Sequence, residues 1–126
     1  MIRKVIKTND APQAIGVYSQ GIKAGSLVFT SGQIPLTPNG ELIKDNFQNE
    51  CRQVIENIKE VLKASGCELS DIVKLTVFLT DLSLFPQLNE VFKEFFKEEP
   101  PARSAVEVSG LPMGVRVEME AIALEK

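Results

Sequence analysis

The segment Val115-Arg116-Val117-Glu118-Met119-Glu120-Ala121-Ile122-Ala123-Leu124 alternates with a period of two, yet it carries apolar residues on both of the rows that result. Successive strand side chains leave opposite faces of a sheet, so Val115, Val117, Met119, Ala121 and Ala123 form one row. Arg116, Glu118, Glu120, Ile122 and Leu124 form the other. The first row belongs to a core. The second holds acids beside Ile122 and Leu124, and a sheet apolar on both faces needs a cover on each side.

Before this strand, Gly110-Leu111-Pro112-Met113-Gly114 reads as a loop and Arg103 to Val108 as a further strand. Pro100-Pro101 forbids helix ahead of it and favours an extended entry. Further back lies a helix for which Ser83 is the candidate N-cap and Pro86 a first-turn residue. Its apolar stripe, Leu88, Val91, Phe92, Phe95 and Phe96, reads as core and not as a ligand box. Ile72 to Leu79, with Lys74 its one charge, predicts a central strand buried on much of both faces.

From Phe47, the positions Cys51, Val54, Ile55, Ile58, Val61 and Leu62 recur at three- and four-residue spacing, an amphipathic helix stopped by Gly66. Val5-Ile6-Lys7 and Leu27 to Ser31 read as early strands, with a short one between them near Tyr18 to Ala24. Pro35, Pro38 and Asn39-Gly40 make a long turn. The order is that of one α+β domain over residues 1–126, with two helices on one face of a sheet. Two helices cover only one face, so the other is expected to be buried against another subunit.

Composition narrows the chemistry. The chain has no histidine, which removes Ser-His-Asp and Cys-His activation, HExxH zinc chemistry and imidazole proton shuttling together. No Gly-rich phosphate loop is present, and Cys51 and Cys67 lack C-x-x-C spacing, so cofactor-free and metal-free chemistry is the expectation. A net charge of −3 without a basic block argues against a nucleic-acid binder. The start, Met1 to Lys7, has no apolar run of signal-peptide length and no window approaches a membrane span, so a cytoplasmic location is expected.

Within Pro100-Pro101-Ala102-Arg103-Ser104-Ala105-Val106, a single arginine stands among small and apolar residues at a strand entrance. A guanidinium fixed on a rigid element presents a planar fork that matches a carboxylate bidentately, which makes Arg103 a candidate anchor for a small acid. A surface salt bridge is the alternative.

Five motifs in this order resemble the RidA or YjgF family of imine deaminases, over essentially the whole chain. They are Gly16-Val17-Tyr18-Ser19-Gln20, Phe29-Thr30-Ser31-Gly32-Gln33-Ile34-Pro35, Pro100-Pro101-Ala102-Arg103-Ser104, Leu111-Pro112 and Val117-Glu118-Met119-Glu120-Ala121-Ile122-Ala123. The resemblance implies a chorismate-mutase-like α+β fold and a homotrimer whose sheets line a central barrel, with three clefts between subunits. It implies hydrolysis of 2-imino acids such as 2-iminobutanoate and 2-iminopropanoate, and of their enamine tautomers, to 2-oxo acids and ammonia without a cofactor. Such imines arise where PLP-dependent dehydratases act on serine or threonine. The family's cleft residues map onto Tyr18, Ser31, Gly32, Asn89, Arg103 and Glu118.

The chain departs from the family at two positions. Val17 replaces the usual proline before Tyr18, and Ala105 stands where many members have cysteine or threonine, which excludes a nucleophilic thiol there.

A 2-imino acid needs its carboxylate held and its C=N carbon attacked by water. Arg103 suits the first task, and Glu118 suits the second as the base that deprotonates water and returns a proton to the departing nitrogen. Glu120 shares its row, and a salt bridge from Glu118 to Arg103 or Arg116 is the structural alternative. Ser31-Gly32 can offer backbone N–H groups, and Tyr18, the one tyrosine, a cleft wall and a hydroxyl. Free imines already hydrolyse in water, so alignment and one base can suffice. Two other readings remain: an endoribonuclease that inhibits translation, disfavoured by the acidic charge and missing histidine, and a non-catalytic small-ligand binder.

Overall fold

The structure, a computed structural model, describes residues 2–126. Met1, part of the N-terminal stretch read above, lies outside the described residues. Six strands form one sheet in the order β1-β2-β3-β6-β4-β5. They are β1 (Arg3–Ile6), β2 (Gly21–Ala24), β3 (Leu27–Thr30), β4 (Ile72–Leu79), β5 (Ala102–Glu107) and β6 (Val117–Leu124), with α1 (Phe47–Lys63) and α2 (Phe85–Phe95) between them. All neighbours pair antiparallel except β4 and β5, which run parallel through the crossover that contains α2. The strands on either side of the Gly110–Gly114 loop therefore do not pair with each other. They flank β4.

Both helices lie on one face, as expected. Asn46 caps α1, its Oδ1 accepting the Asn49 N–H at 2.8 Å, a contact that contributes about 1 kcal/mol. Cys51, Val54, Ile55, Ile58, Val61 and Leu62 are buried against Val28, Leu75, Val77, Met119 and Ala123. Each fully buried aliphatic side chain of this kind contributes about 1.5–3 kcal/mol, which far exceeds what propensity and caps add. After α1 the chain reverses through Gly66 at φ +87°, a conformation that suits glycine.

The start of α2 corrects the expectation for Ser83. Asp81 caps the turn ahead of the helix: its Oδ1 accepts the Ser83 N–H at 2.9 Å and opens a 3₁₀ turn over Leu82–Leu84, while α2 itself has Leu84 at its N-cap position with no side-chain cap. Phe85 then begins α2 with Pro86 in its first turn. Ser83 lies inside that 3₁₀ turn and donates its own N–H to Asp81, so it does not stand at the helix boundary.

The opposite face of the sheet is open. Cross-strand register places Val5, Ile22, Phe29 and Ile122 in one row across four strands, with Leu27 beside Leu124 in the next. Val5, Phe29, Leu27 and Leu124 are all exposed. β4 is accordingly buried along its helix-facing row, Ile72, Leu75, Val77 and Leu79, while Lys74, Thr76 and Phe78 are only half-buried. Burial on both sides of β4, expected from its sequence, is thus met within one chain on one side only. The second half of that expectation concerns whatever covers the open face.

Candidate functional site

Arg103 enters β5 directly after Pro100-Pro101 and pairs in register with Leu75 of β4, so its side chain shares the helix-facing side of the sheet. There it meets α2. Its Nη1 donates to Asn89 Oδ1 at 2.9 Å, and its guanidinium carbon lies 4.9 Å from the Phe85 ring centre and 4.8 Å from that of Phe92. Each cation–π contact contributes about 0.5–2 kcal/mol, more as water is excluded. Among the described residues no carboxylate pairs with Arg103. Partial burial lowers its pKa from the ordinary arginine value, while the group remains a cation at neutral pH. Arg103 is thus a half-buried cation with most of its N–H donors free, beside an open groove of about 650 Å³ lined by Asn89, Phe92, Phe96, Pro100 and Pro101.

The aromatic stripe of α2 is therefore not core alone. Phe85, Asn89 and Phe92 follow at i, i+4 and i+7, a single helical face, and that face holds the arginine. The expectation that Phe92 is only a core residue is corrected to this extent. Phe85, outside the six residues expected from the sequence, joins the site through its four-residue spacing from Asn89.

Glu118 belongs to a second cluster. It pairs in register with Phe78 of β4, on the open face of the sheet. From Phe29↔Ile122 to the Gln33↔Met119 bridge, the β3 side gains one residue on the β6 side. Thr30 Oγ1 fills the gap by accepting the Ala121 N–H at 3.0 Å. The bulge lays Gly32 against Glu118 so closely that a Cβ on Gly32 would collide with the Glu118 carboxylate. Glycine serves here to let the Glu118 carboxylate approach the backbone, since any side chain at 32 would displace it.

Glu118 has no cationic partner among the described residues: Arg116 is engaged by the buried Glu50 carboxylate, and Arg103 by Asn89. The salt-bridge alternative therefore fails within the chain. Burial, with the neighbouring Glu120 charge second, raises the Glu118 pKa above the ordinary glutamate value. Tyr18, Gly32, Gln33, Pro112 and Glu118 line one small pocket of about 50 Å³. Tyr18 Oη accepts the Ile15 N–H at 3.2 Å, so its own O–H is free to donate into that pocket. Gln20, which the sequence did not single out beyond its motif, is buried and latches the preceding loop through Thr8 and Pro12 at 2.8 Å each.

Ser31 differs from the expectation that it offers a free N–H. Its N–H donates to Gln20 O at 2.9 Å and its hydroxyl to Ser19 O at 2.5 Å, so both donors are consumed by the fold. Gly32 N–H is the one of the pair left over. Cys51 is fully buried and its thiol is pushed up to about 12, chiefly by burial, which removes it as a nucleophile at neutral pH. Among the described residues no group of three His, Cys, Asp or Glu side chains is placed to hold a metal ion, and no helix is long and apolar enough to cross a membrane.

The six expected residues thus fall into two groups. Arg103 and Asn89 stand on the helix side of β5, while Tyr18, Gly32 and Glu118 gather on the open side around β6, with Ser31 in the connecting bulge. β6 and β5 are separated by β4, about 10 Å at ordinary strand spacing. Within one chain the two groups do not share a cavity.

Comparison with known proteins gives the same pattern of similarity along the full length. The family described as Endoribonuclease L-PSP matches residues 8–125. A RutC family protein of Pyrococcus horikoshii is 50% identical, covering 99% of this chain and 100% of the relative. The 2-iminobutanoate/2-iminopropanoate deaminase of Homo sapiens is 43% identical, covering 99% of this chain and 92% of the relative. The crystal structure of E. coli TdcF with bound serine superposes with a TM-score of 0.93 at 47% identity, covering 98% and 99% of the two chains. The YjgF gene product of E. coli superposes with a TM-score of 0.93 at 43% identity, over 98% and 99%.

Proposed function

The chain belongs to the Endoribonuclease L-PSP family, that of RidA and YjgF, and on this footing we propose that it is a cofactor-independent deaminase of reactive 2-imino acids such as 2-iminobutanoate and 2-iminopropanoate. The observation that carries the reading is the Arg103 cation, half-buried, flanked by two rings and unpaired with any carboxylate of its own chain among the described residues. A small carboxylate is the partner such a fork fits.

The working site is formed between copies of the chain. Arg103 with Asn89 comes from one copy, and Tyr18, Gly32 and Glu118 come from the next. The open sheet face supports a homotrimer in which that face turns inward, since its exposed Val5, Phe29 and Leu124 require cover and the helices already occupy the other side.

In the reaction, Arg103 takes the substrate carboxylate through its free N–H donors and fixes the imine carbon beside Glu118. The Glu118 carboxylate removes a proton from water as the oxygen attacks C=N, and passes it to the nitrogen to give the carbinolamine. It then takes the hydroxyl proton and delivers it to the amine. The C–N bond breaks, ammonia leaves and the 2-oxo acid is released, so one water is consumed and Glu118 is regenerated. The raised Glu118 pKa brings its conjugate acid nearer to neutral pH, which suits a group that must both take and give a proton. Gly32 N–H, which makes no hydrogen bond among the described residues, can steady the substrate or the attacking water.

The assay couples a PLP-dependent threonine dehydratase, which generates 2-iminobutanoate, to timed release of 2-oxobutanoate with and without the protein. Acceleration supports the reading; release at the spontaneous rate contradicts it. Incubation with labelled RNA in parallel tests the endoribonuclease reading, and cleavage lost together with imine hydrolysis in Arg103→Ala would favour RNA as the substrate.

A further inference from the structure

We infer that Phe85 and Phe92 are positioning residues that take the place of a counter-ion for Arg103. A charge withdrawn from water is ordinarily paired with an opposite one. Had this one been so paired, the fork would be neutralised and its donors occupied before any ligand arrived. Two ring faces solve the same problem differently. They stabilise the cation through their quadrupoles while consuming none of its N–H groups and adding no negative charge.

The geometry gives each contact a separate job. The rings lie 4.9 and 4.8 Å from the guanidinium carbon, and Asn89 Oδ1 takes one Nη1 hydrogen at 2.9 Å. A guanidinium has five N–H donors, so a neutral acceptor on one of them sets the rotation of the fork and leaves the other four. Phe96, with its ring centre 5.1 Å from that of Phe92, backs the second ring. α2 supplies the whole clamp from one face, because Phe85, Asn89 and Phe92 are spaced by four and three residues. An ordered cation with no carboxylate partner from its own chain among the described residues is what lets the site select a small carboxylate.

This inference rests on Arg103 being the carboxylate anchor, and the test separates the two claims. Phe85→Leu, Phe85→Tyr, Phe92→Leu and Phe92→Tyr are compared by calorimetry with 2-oxobutanoate and by the coupled imine assay. Leucine keeps an apolar side chain and removes the π face, whereas tyrosine keeps the face. The leucine variants are expected to raise Kd about tenfold with kcat changed much less, and the tyrosine variants to recover most of the affinity. Phe85 is only half-buried, so Phe85→Leu carries the test alone if Phe92→Leu does not fold. Leucine variants that bind like the parent, or tyrosine variants as weak as leucine, overturn the clamp while leaving the deaminase reading intact. A parent that fails to deaminate but binds 2-oxobutanoate, and loses affinity in the leucine variants, overturns the deaminase reading and upholds the clamp. A parent that binds no 2-oxobutanoate overturns both.

Discussion

The Arg103 guanidinium and the Glu118 carboxylate leave opposite faces of the same sheet: Arg103 is in register with the buried Leu75, and Glu118 with the outward Phe78. Leu75 and Phe78 are three apart on β4, an odd separation, and alternate strand residues point to opposite sides. No rotamer change brings the two groups together across a packed sheet. If both serve one reaction, different copies of the chain must supply them.

Arg103→Lys is expected to lose most of the affinity for 2-oxo and 2-imino acids, and Arg103→Ala nearly all of it. Lysine offers a point charge without the planar fork and stacks less well between the two rings. The comparison is kcat/KM in the coupled assay, with sedimentation confirming that assembly persists. Parent-like activity in Arg103→Ala would make this arginine structural.

Glu118→Gln should remove nearly all turnover while retaining 2-oxo acid binding. In the parent, activity falls as pH drops through a Glu118 pKa that burial and Glu120 hold above the ordinary value. Glu120→Gln, which removes the like charge, should move that limb to lower pH. Stability follows the same group. A carboxyl whose folded pKa exceeds its unfolded one weakens the fold above both values and not below them. Glu118→Gln should therefore raise Tm at pH 7 and give no gain at acid pH below the unfolded carboxyl range.

Gly32→Ala is expected to reduce kcat/KM at least about tenfold with a smaller effect on Tm. The new methyl occupies the space of the Glu118 carboxylate, and the displaced group can swing toward solvent. Its pKa should then relax toward the ordinary value, which the acid limb of the rate profile reads directly. Retained activity with an unmoved limb would show that Glu118 does not act from the position seen here.

The open face predicts assembly. Sedimentation equilibrium should give about three times the 13.9 kDa chain mass. Phe29→Lys, at the centre of the exposed apolar row, should dissociate the assembly and abolish hydrolysis, though it touches neither Arg103 nor Glu118. A fully active monomer would contradict a site shared between copies.

Much of this architecture was legible from residues 47–79, where strong periodicity and a single interpretation coincide. α1 begins at Phe47 and β4 spans Ile72–Leu79, as their patterns predict. The apolar residues on both rows of β6 likewise point to an unpartnered face, and Leu124 is exposed on it. The start of α2 departs from its local pattern because Asp81 opens a 3₁₀ turn that takes in Ser83 and leaves Leu84 at the N-cap position of the helix. The aromatic clamp was hidden by a sound general rule, that phenylalanines at helical spacing are core. Phe92 is indeed buried, yet one ring face still meets Arg103. The separation of Arg103 from Glu118 depends on the register of β4 with both its neighbours, and long-range register leaves no local mark on the sequence.

Complementation between two inactive variants tests the shared cleft most directly. Arg103→Ala and Glu118→Gln chains, each expected to be inactive alone, are unfolded, mixed in equal amounts and refolded together. In a ring where each cleft takes Arg103 from one copy and Glu118 from the next, about a quarter of the clefts in a random mixture regain both groups. The account predicts imine hydrolysis at about that fraction of the refolded parent's rate. A mixture as inactive as its components, with mixed assemblies verified by mass, would place Arg103 and Glu118 in the same copy's site or in no common site, and would contradict the account.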